Sequence, residues 1–231
     1  FIYHKTILTA NIGESFLADK IKDWEEALPD FMSLAYLPQY GMVRLRLDAR
    51  HENEKLLQEC LDNQIQKLKE IISDYIFSYD DKPISEVIVN MLKERNLSLS
   101  TAESCTGGSI ARMITSVPGC SYIYKGSVIA YDSKVKEELL NVNHDDIEKY
   151  NVVSQEVAEQ MAIGARNLMN TDFALSTTGI AGPDGGTEKN PVGTVCIALA
   201  TPNEVISKRH NFGKDRQNNI ERASITALEM L

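Results

Sequence analysis

Between Leu97 and Thr115 the chain passes from a short apolar strand into a short apolar helix, through the octet Thr-Ala-Glu-Ser-Cys-Thr-Gly-Gly at 101–108. A strand that bends straight into a helix places the bend at the helix N-terminus. There backbone N–H groups lack partners and the peptide dipoles present their positive end. A hydroxyl on such a bend, here Ser104, can be a nucleophile with oxyanion-stabilising donors beside it. Gly107 and Gly108 leave the backbone uncovered, so that a ligand can approach closely.

The same alternation of buried strand and amphipathic helix runs through the rest of this part of the chain. Ile84, Val87, Ile88, Met91 and Leu92 form a helix stripe, Leu97–Ala102 a strand, and Ser109–Thr115 a helix stopped by Val117-Pro118-Gly119. Tyr122–Tyr131 is strand-like, Ser133–Leu140 helical, and Ser154 stands as the N-cap of a helix reaching Met169. Phe173–Thr177 and Thr194–Ala200 are continuous apolar runs, as expected of strands covered on both faces. Glu204–Phe212 alternates and suits a position nearer the sheet edge, and Asn219–Leu231 closes as a helix. The pattern predicts a three-layer α/β/α domain with a mixed sheet over residues 79–231. Its long Gly/Pro stretch at 179–186 follows a strand end, where open α/β sheets bind ligands.

Residues 1–78 have a different rhythm. Thr6–Thr9 is a strand candidate, Asn11–Glu14 a turn, and Ser15–Ala27 a helix with Phe16, Leu17, Ile21 and Trp24 on one side. Phe31–Tyr36 and Met42–Leu47 read as strands around a turn at Pro38-Gln39-Tyr40-Gly41, with Val43, Leu45 and Leu47 alternating against Arg44, Arg46 and Asp48. Glu52–Ile72 has helical spacing of leucine and isoleucine, and Tyr75–Phe77 is a closing strand. The order β-α-β-β-α-β predicts a small α+β module, separated from the second domain by the polar break Asp80-Asp81-Lys82-Pro83.

Bulk properties narrow the partners. A net charge of −9 argues against broad electrostatic binding of nucleic acid, and no run of about 20 apolar residues exists to span a membrane. Cys60, Cys105, Cys120 and Cys196 are scattered without a Cys-x-x-Cys pair, which reads as reduced, cytoplasmic cysteine rather than a disulfide frame, and no metal site is expected. The opening Phe-Ile-Tyr-His-Lys has no initiator Met and no signal pattern, and reads as a cut inside a longer protein or a trimmed start.

Each candidate residue admits two readings. Ser104 is either an N-cap or a nucleophile, and a nucleophile needs a base. The four histidines have no local relation to it and Gly-x-Ser-x-Gly is absent, so a Ser-His-Asp triad is not supported. Lys134 and Lys136 fall in or near the first turn of a helix, an unfavourable place for a cation. They are either solvated, or one is buried and neutral enough to act as a base. The second case needs a fall from about 10.4 to about 7–8, equivalent to about 4 kcal/mol. Tyr131 either packs or hydrogen-bonds the nucleophile or base. Thr177, Thr178, Gly179 and Gly182 offer hydroxyls and open backbone, or simply shape a turn. Arg216 either forks around a phosphate or carboxylate, or pairs with Asp215 or Glu221.

Taken together these segments resemble the CinA family of competence/damage-inducible proteins. The resemblance rests on the octet at 101–108, Ala-Tyr-Asp-Ser-Lys-Val-Lys at 130–136, Val-Val-Ser at 152–154, Thr-Gly-Ile-Ala-Gly-Pro-Asp-Gly-Gly at 178–186, Pro-Val-Gly-Thr-Val at 191–195 and Phe-Gly-Lys-Asp-Arg at 212–216. It implies a C-terminal domain similar to nicotinamide-nucleotide amidases, which convert nicotinamide mononucleotide to nicotinate mononucleotide and ammonia without a cofactor. By the same resemblance Ser104 is the nucleophile, Lys136 its general base and Tyr131 a third member. Cys105, Thr106, Gly107, Gly108, Thr177, Thr178, Gly179, Gly182 and Arg216 would hold the substrate, with Cys105 a minor alternative nucleophile. Many relatives carry Ser-Asn-Glu-Ala-Lys after the tyrosine, whereas this chain has Asp132-Ser133-Lys134-Val135-Lys136. The spacing is kept, and Lys134 is either a second influence on Lys136 or exposed.

Residues 1–78 resemble the KH-like module of longer CinA proteins, without the Gly-x-x-Gly loop of nucleic-acid-binding KH domains, and read as a spacer or assembly module. The longer proteins carry a further N-terminal domain, similar to molybdopterin-binding folds, and by the resemblance this chain is expected to be without it. The resemblance also implies a homodimer. A mononucleotide-binding regulatory module without turnover is the alternative reading.

Overall fold

The structure, a computed structural model, describes every residue except Asn11, Tyr40, Gly41 and Asp80. The turns expected at 11–14 and 38–41 and the break at 80–83 therefore fall partly outside the described residues. Internal contacts divide the chain into two units, Phe1–Lys82 and Pro83–Leu231.

The first unit runs β1 (Ile2–Ala10), α1 (Glu14–Glu26), β2 (Met32–Gln39), β3 (Met42–Arg50), α2 (Glu54–Ile72) and β4 (Ile76–Ser78). Its sheet is antiparallel in the order β2-β3-β1-β4. Val43, Leu45, Leu47 and Ala49 point into a core shared with Ile7 of β1, Leu17, Ile21 and Trp24 of α1, and Leu57, Leu61 and Leu68 of α2. Asn53 caps α2, its Oδ1 accepting from the Leu56 N–H at 3.1 Å. β1 begins at Ile2, ahead of the apolar Thr6–Thr9 run. The ladder from Ile2↔Arg50 to Ala10↔Met42 carries residues that burial alone does not mark.

The second unit runs α3 (Ile84–Glu94), β5 (Leu99–Glu103), α4 (Ser109–Thr115), β6 (Tyr124–Ile129), α5 (Ser133–Leu140), α6 (His144–Tyr150), α7 (Gln155–Met169), β7 (Phe173–Gly179), β8 (Thr194–Ala200), β9 (Val205–Asn211) and α8 (Arg216–Leu228). The sheet order is β6-β5-β7-β8-β9, with β5 parallel to both neighbours and the last two pairings antiparallel, a mixed sheet. Ala158, Met161, Ala162 and Ala165 of α7 pack on Ala102, Ala174, Cys196 and Ala198 of one face, with α5 and α6 against α7. On the opposite face α4 lies along β5 and β6, α8 along β7 and β8, and α3 touches both helices. The fold is thus α/β, three-layered, with β9 at an edge.

Two elements depart from the sequence expectation. α6 has a single buried residue, Ile147, and so shows no helical stripe. α8 begins at Arg216 rather than Asn219 because Asp215 caps it, Oδ1 accepting from the Asn218 N–H at 2.8 Å. Among the described residues no helix is long and apolar enough to cross a membrane.

Candidate active site

β5 and β6 lie side by side and parallel, and each turns into a helix at its C-terminal end. After β5 the Ser104 N–H donates to the Thr177 carbonyl of β7 at 3.0 Å, and the Gly107 N–H closes back on the Ser104 carbonyl at 3.1 Å. The turn then passes through left-handed backbone at Gly107 (φ +59°) and Gly108 (φ +96°), where a side chain would be strained. Ser104 is fixed on this bend with 8% of its surface exposed.

After β6 the Ala130 N–H donates to the Glu103 carbonyl at 2.8 Å, and Asp132 caps α5 through the Lys134 N–H at 2.8 Å. Lys136 sits one turn into α5. Helical side chains lean toward the helix N-terminus, so its amine is carried back toward the bend. Nζ lies 3.1 Å from Ser104 Oγ and donates to the carbonyls of Ala130 at 2.5 Å and Tyr131 at 3.3 Å. Lys136 is 1% exposed, and burial pulls its pKa below the ordinary 10.5, with Cys105 and Asp132 opposing the fall. Lys134 is exposed and is not among the groups that shift Lys136.

Burial pushes the Cys105 thiol up to about 12, so it is a thiol rather than a thiolate near neutrality. A protonated thiol is a weak nucleophile, which favours Ser104 over Cys105.

Ser104, Cys105, Tyr131, Ser133 and Lys136 line a cavity of about 190 Å³ together with Val152, Val153, Thr178, Gly179, Ala181 and Arg216. Tyr131 gives its carbonyl to Lys136, while its hydroxyl accepts from Arg216 Nη2 at 3.2 Å; its ring is largely exposed. Arg216 also donates from Nη1 to the Gly182 carbonyl at 2.7 Å, and so stands between the 179–186 loop and Tyr131. The pairing of Arg216 with Asp215 or Glu221 is not present among the described ion pairs. Thr178 Oγ1 donates to the Val152 carbonyl at 2.8 Å.

Five of the expected binding residues are not on the cavity wall. Thr106 and Thr177 are buried on the α4 face, their hydroxyls 2.7 Å apart. The N–H groups of Gly107 and Gly108 are already taken, by the Ser104 carbonyl and by Glu103. Gly182 is a packing glycine, since a Cβ there would stand 2.5 Å from Val192 Cγ1.

Glu103 is the residue the sequence expectations left without a role. It is wholly buried, and its carboxylate accepts from the Thr106 hydroxyl (2.7 Å) and from the N–H groups of Gly108 (3.0 Å), Ile110 (3.1 Å) and Ala111 (2.8 Å). The N-terminus of α4 is therefore occupied by a carboxylate of the chain itself, and is not open to a substrate oxyanion as the bend suggested. No carbonyl or carboxylate among the described residues takes the N–H of Cys105 or Thr106. The available signal was an acidic residue at a strand end just ahead of a helix start. Asn219, expected only as the start of the last helix, is buried on α8, where its Nδ2 donates to the carbonyls of Ala181 (2.9 Å) and Gly213 (3.0 Å) and pins the loop. Among the described residues no three His, Cys, Asp or Glu side chains gather as a metal site would require.

Comparison with known proteins covers both units. The family model of the CinA C-terminal domain matches residues 81–231, and that of the damage-inducible protein CinA KH domain matches residues 4–78. A CinA-like protein of Flavobacterium psychrophilum is 49% identical over 232 residues, covering 100% of this chain and 56% of its own length. A CinA-like protein of Cytophaga hutchinsonii is 40% identical, again over 100% of this chain and 55% of its own. The chain spans about half the length of the curated relatives it matches. Among solved structures, the competence/damage inducible protein CihA of Agrobacterium tumefaciens is 35% identical with a TM-score of 0.63, over 64% of this chain and 90% of its own. A CinA superfamily protein of Escherichia coli is 29% identical with a TM-score of 0.61, over 63% of this chain and 85% of its own.

Proposed function

The chain belongs to the CinA family, and from that premise we propose that its second unit is an amidase that hydrolyses the carboxamide of nicotinamide mononucleotide to nicotinate mononucleotide and ammonia. The observation that supports this reading best is the 3.1 Å approach of Lys136 Nζ to Ser104 Oγ in a buried setting. A neutral amine has two N–H donors and one lone pair. With the donors directed to the Ala130 and Tyr131 carbonyls, the lone pair faces the third neighbour, the Ser104 hydroxyl. Burial favours this neutral form because it disfavours the charged one.

Lys136 takes the hydroxyl proton as Ser104 Oγ attacks the carboxamide carbon. The N–H of Cys105, on the cavity wall, receives the developing oxyanion, and one such donor contributes about 10²–10³ in rate. As the tetrahedral intermediate collapses, the Lys136 ammonium returns its proton to the departing nitrogen and ammonia leaves. Water, deprotonated by the same amine, then cleaves the ester and restores Ser104. Tyr131 is the third member through its carbonyl, which helps to hold the amine.

A cavity of about 190 Å³ suits the ring and its carboxamide rather than a whole nucleotide, so the ribose phosphate extends toward the Arg216 guanidinium at the mouth. Arg216 forks around the phosphate by exchanging its Tyr131 contact for the anion. Thr178 and Gly179 form the wall beside the ring.

The test is ammonia release from nicotinamide mononucleotide and from the nucleoside that lacks the phosphate. Wild-type protein is expected to release ammonia from the nucleotide and far more slowly from the nucleoside. Binding of the nucleotide without ammonia release contradicts the amidase reading and leaves a regulatory binding module.

A further inference from the structure

Glu103 precedes the proposed nucleophile, yet every acceptor site it uses is turned into the protein. Its side chain reaches forward across the bend to Thr106, Gly108, Ile110 and Ala111, and so closes a ring of hydrogen bonds around Ser104. Its backbone carbonyl accepts the N–H of Ala130, whose own carbonyl takes the Lys136 amine. One residue thus fastens both the segment that carries the hydroxyl and the segment that orients the amine.

The network also has a direction. An ionised carboxylate only accepts, so the Thr106 hydroxyl donates its one proton to Glu103. The hydroxyl contact between Thr106 and Thr177 must then be donated by Thr177. Thr177 therefore holds the bend at two points, giving its hydroxyl proton to Thr106 and taking the Ser104 N–H on its carbonyl. A helix cap alone would need only the first-turn N–H groups. The additional tie through Thr106 to β7 fixes where the bend sits relative to the neighbouring strand.

We infer that Glu103 is a positioning residue that keeps Ser104 Oγ within proton-transfer distance of Lys136 Nζ, an inference whose kinetic consequence rests on the amidase reading above. A misplacement of about 1 Å in such a pair lowers turnover by about 10²-fold. Glu103→Gln retains the size of the side chain but turns one of its two oxygens into a donor. In either orientation that donor confronts at least one N–H of α4, at Ala111 or at Gly108 and Ile110.

The experiment combines a crystal structure of Glu103→Gln with its pH-rate profile on nicotinamide mononucleotide. The expected result is a Ser104–Lys136 separation beyond hydrogen-bond reach and a kcat about 10²-fold lower. KM and the position of the pH limb stay as in the wild type, because the lysine keeps its burial and both carbonyls. An unchanged Oγ–Nζ separation overturns the inference whether or not the protein turns over substrate. In active protein, so does an unchanged kcat, or a loss that falls on KM. If wild-type protein releases no ammonia, the amidase reading fails on its own and the separation alone decides the role of Glu103. Should Glu103→Gln not fold, Thr177→Val reads the network from its other end, with kcat lowered about fivefold at constant KM. Wild-type kcat in that variant overturns the inference as well.

Discussion

The bend after β5 and the bend after β6 are neighbours of the same kind, a parallel strand turning into a helix, and each buries an ionisable side chain. They treat it differently. At the first, Glu103 receives four hydrogen bonds, three of them from backbone N–H groups at the positive end of α4, those of the N-cap Gly108 and of Ile110 and Ala111 in the helix. Such a carboxylate is solvated by the protein in place of water, and its charge becomes part of the architecture. At the second, Lys136 has only two carbonyls and a hydroxyl around it, and no described carboxylate within ion-pair distance. Burial there pulls the pKa down instead of being compensated. A fully satisfied buried charge holds a structure, and an incompletely satisfied one is available to exchange a proton.

Removing the reactive groups breaks the comparison most severely. Ammonia release is expected to fall by about 10⁴-fold or more in Ser104→Ala and by about 10²–10⁴-fold in Lys136→Ala, with circular dichroism unchanged. Full activity in either variant removes that residue from the mechanism. Gly164→Ala attacks the second bend from behind. A Cβ on Gly164 of α7 would stand 2.0 Å from the Leu140 carbonyl at the end of α5, so the helices must part. A stability loss of about 1–3 kcal/mol is expected in thermal or denaturant unfolding, with reduced turnover as Lys136 moves. Wild-type stability would mean that α5 yields without strain.

A finer test concerns pH. The folded-state pKa of Lys136 lies below the ordinary 10.5 of the unfolded chain. Between the two values the native state binds fewer protons than the unfolded one, so this group makes stability rise with pH across that window. Below it the buried charge is carried at a cost. Relative to Lys136→Met, wild-type protein should gain stability as pH rises from neutrality toward 10.5, and a constant difference would show that burial does not act on this lysine. The smallest effect is expected at Lys134. It is exposed on the same helix, and Lys134→Ala should keep turnover within about twofold, as a surface change away from the site does.

Much of this architecture is legible in the chain because burial has a period. Thr194–Ala200 is buried at every position and is a strand with the bounds that its apolar run predicts. Ser133–Leu140 and Ser109–Thr115 are helices with the expected ends, set by the Asp132 cap and by left-handed Gly108. Where burial has no period the sequence is silent, as in α6 and the first half of β1. The cavity was partly legible. Ser104, Lys136, Tyr131 and Arg216 meet there from three separate segments. What composition and spacing do not reveal is the direction of a side chain on a bend. Thr106 and Thr177 look like ligand hydroxyls in sequence but are turned into the protein, Thr177 by its place in the alternation of β7 and Thr106 by its bonds to Glu103 and Thr177. Glu103 looked like part of a turn, and its role depends on donors up to Ala111 that only the fold brings together.

The central claim, that an uncharged Lys136 draws the proton from Ser104, is tested most directly by kcat/KM for ammonia release as a function of pH. A single ascending limb is expected, with its midpoint below 10.5, tracing the fraction of Lys136 in its amine form. A rate that stays constant from acid to alkaline pH, or one that falls as the lysine loses its proton, would contradict it.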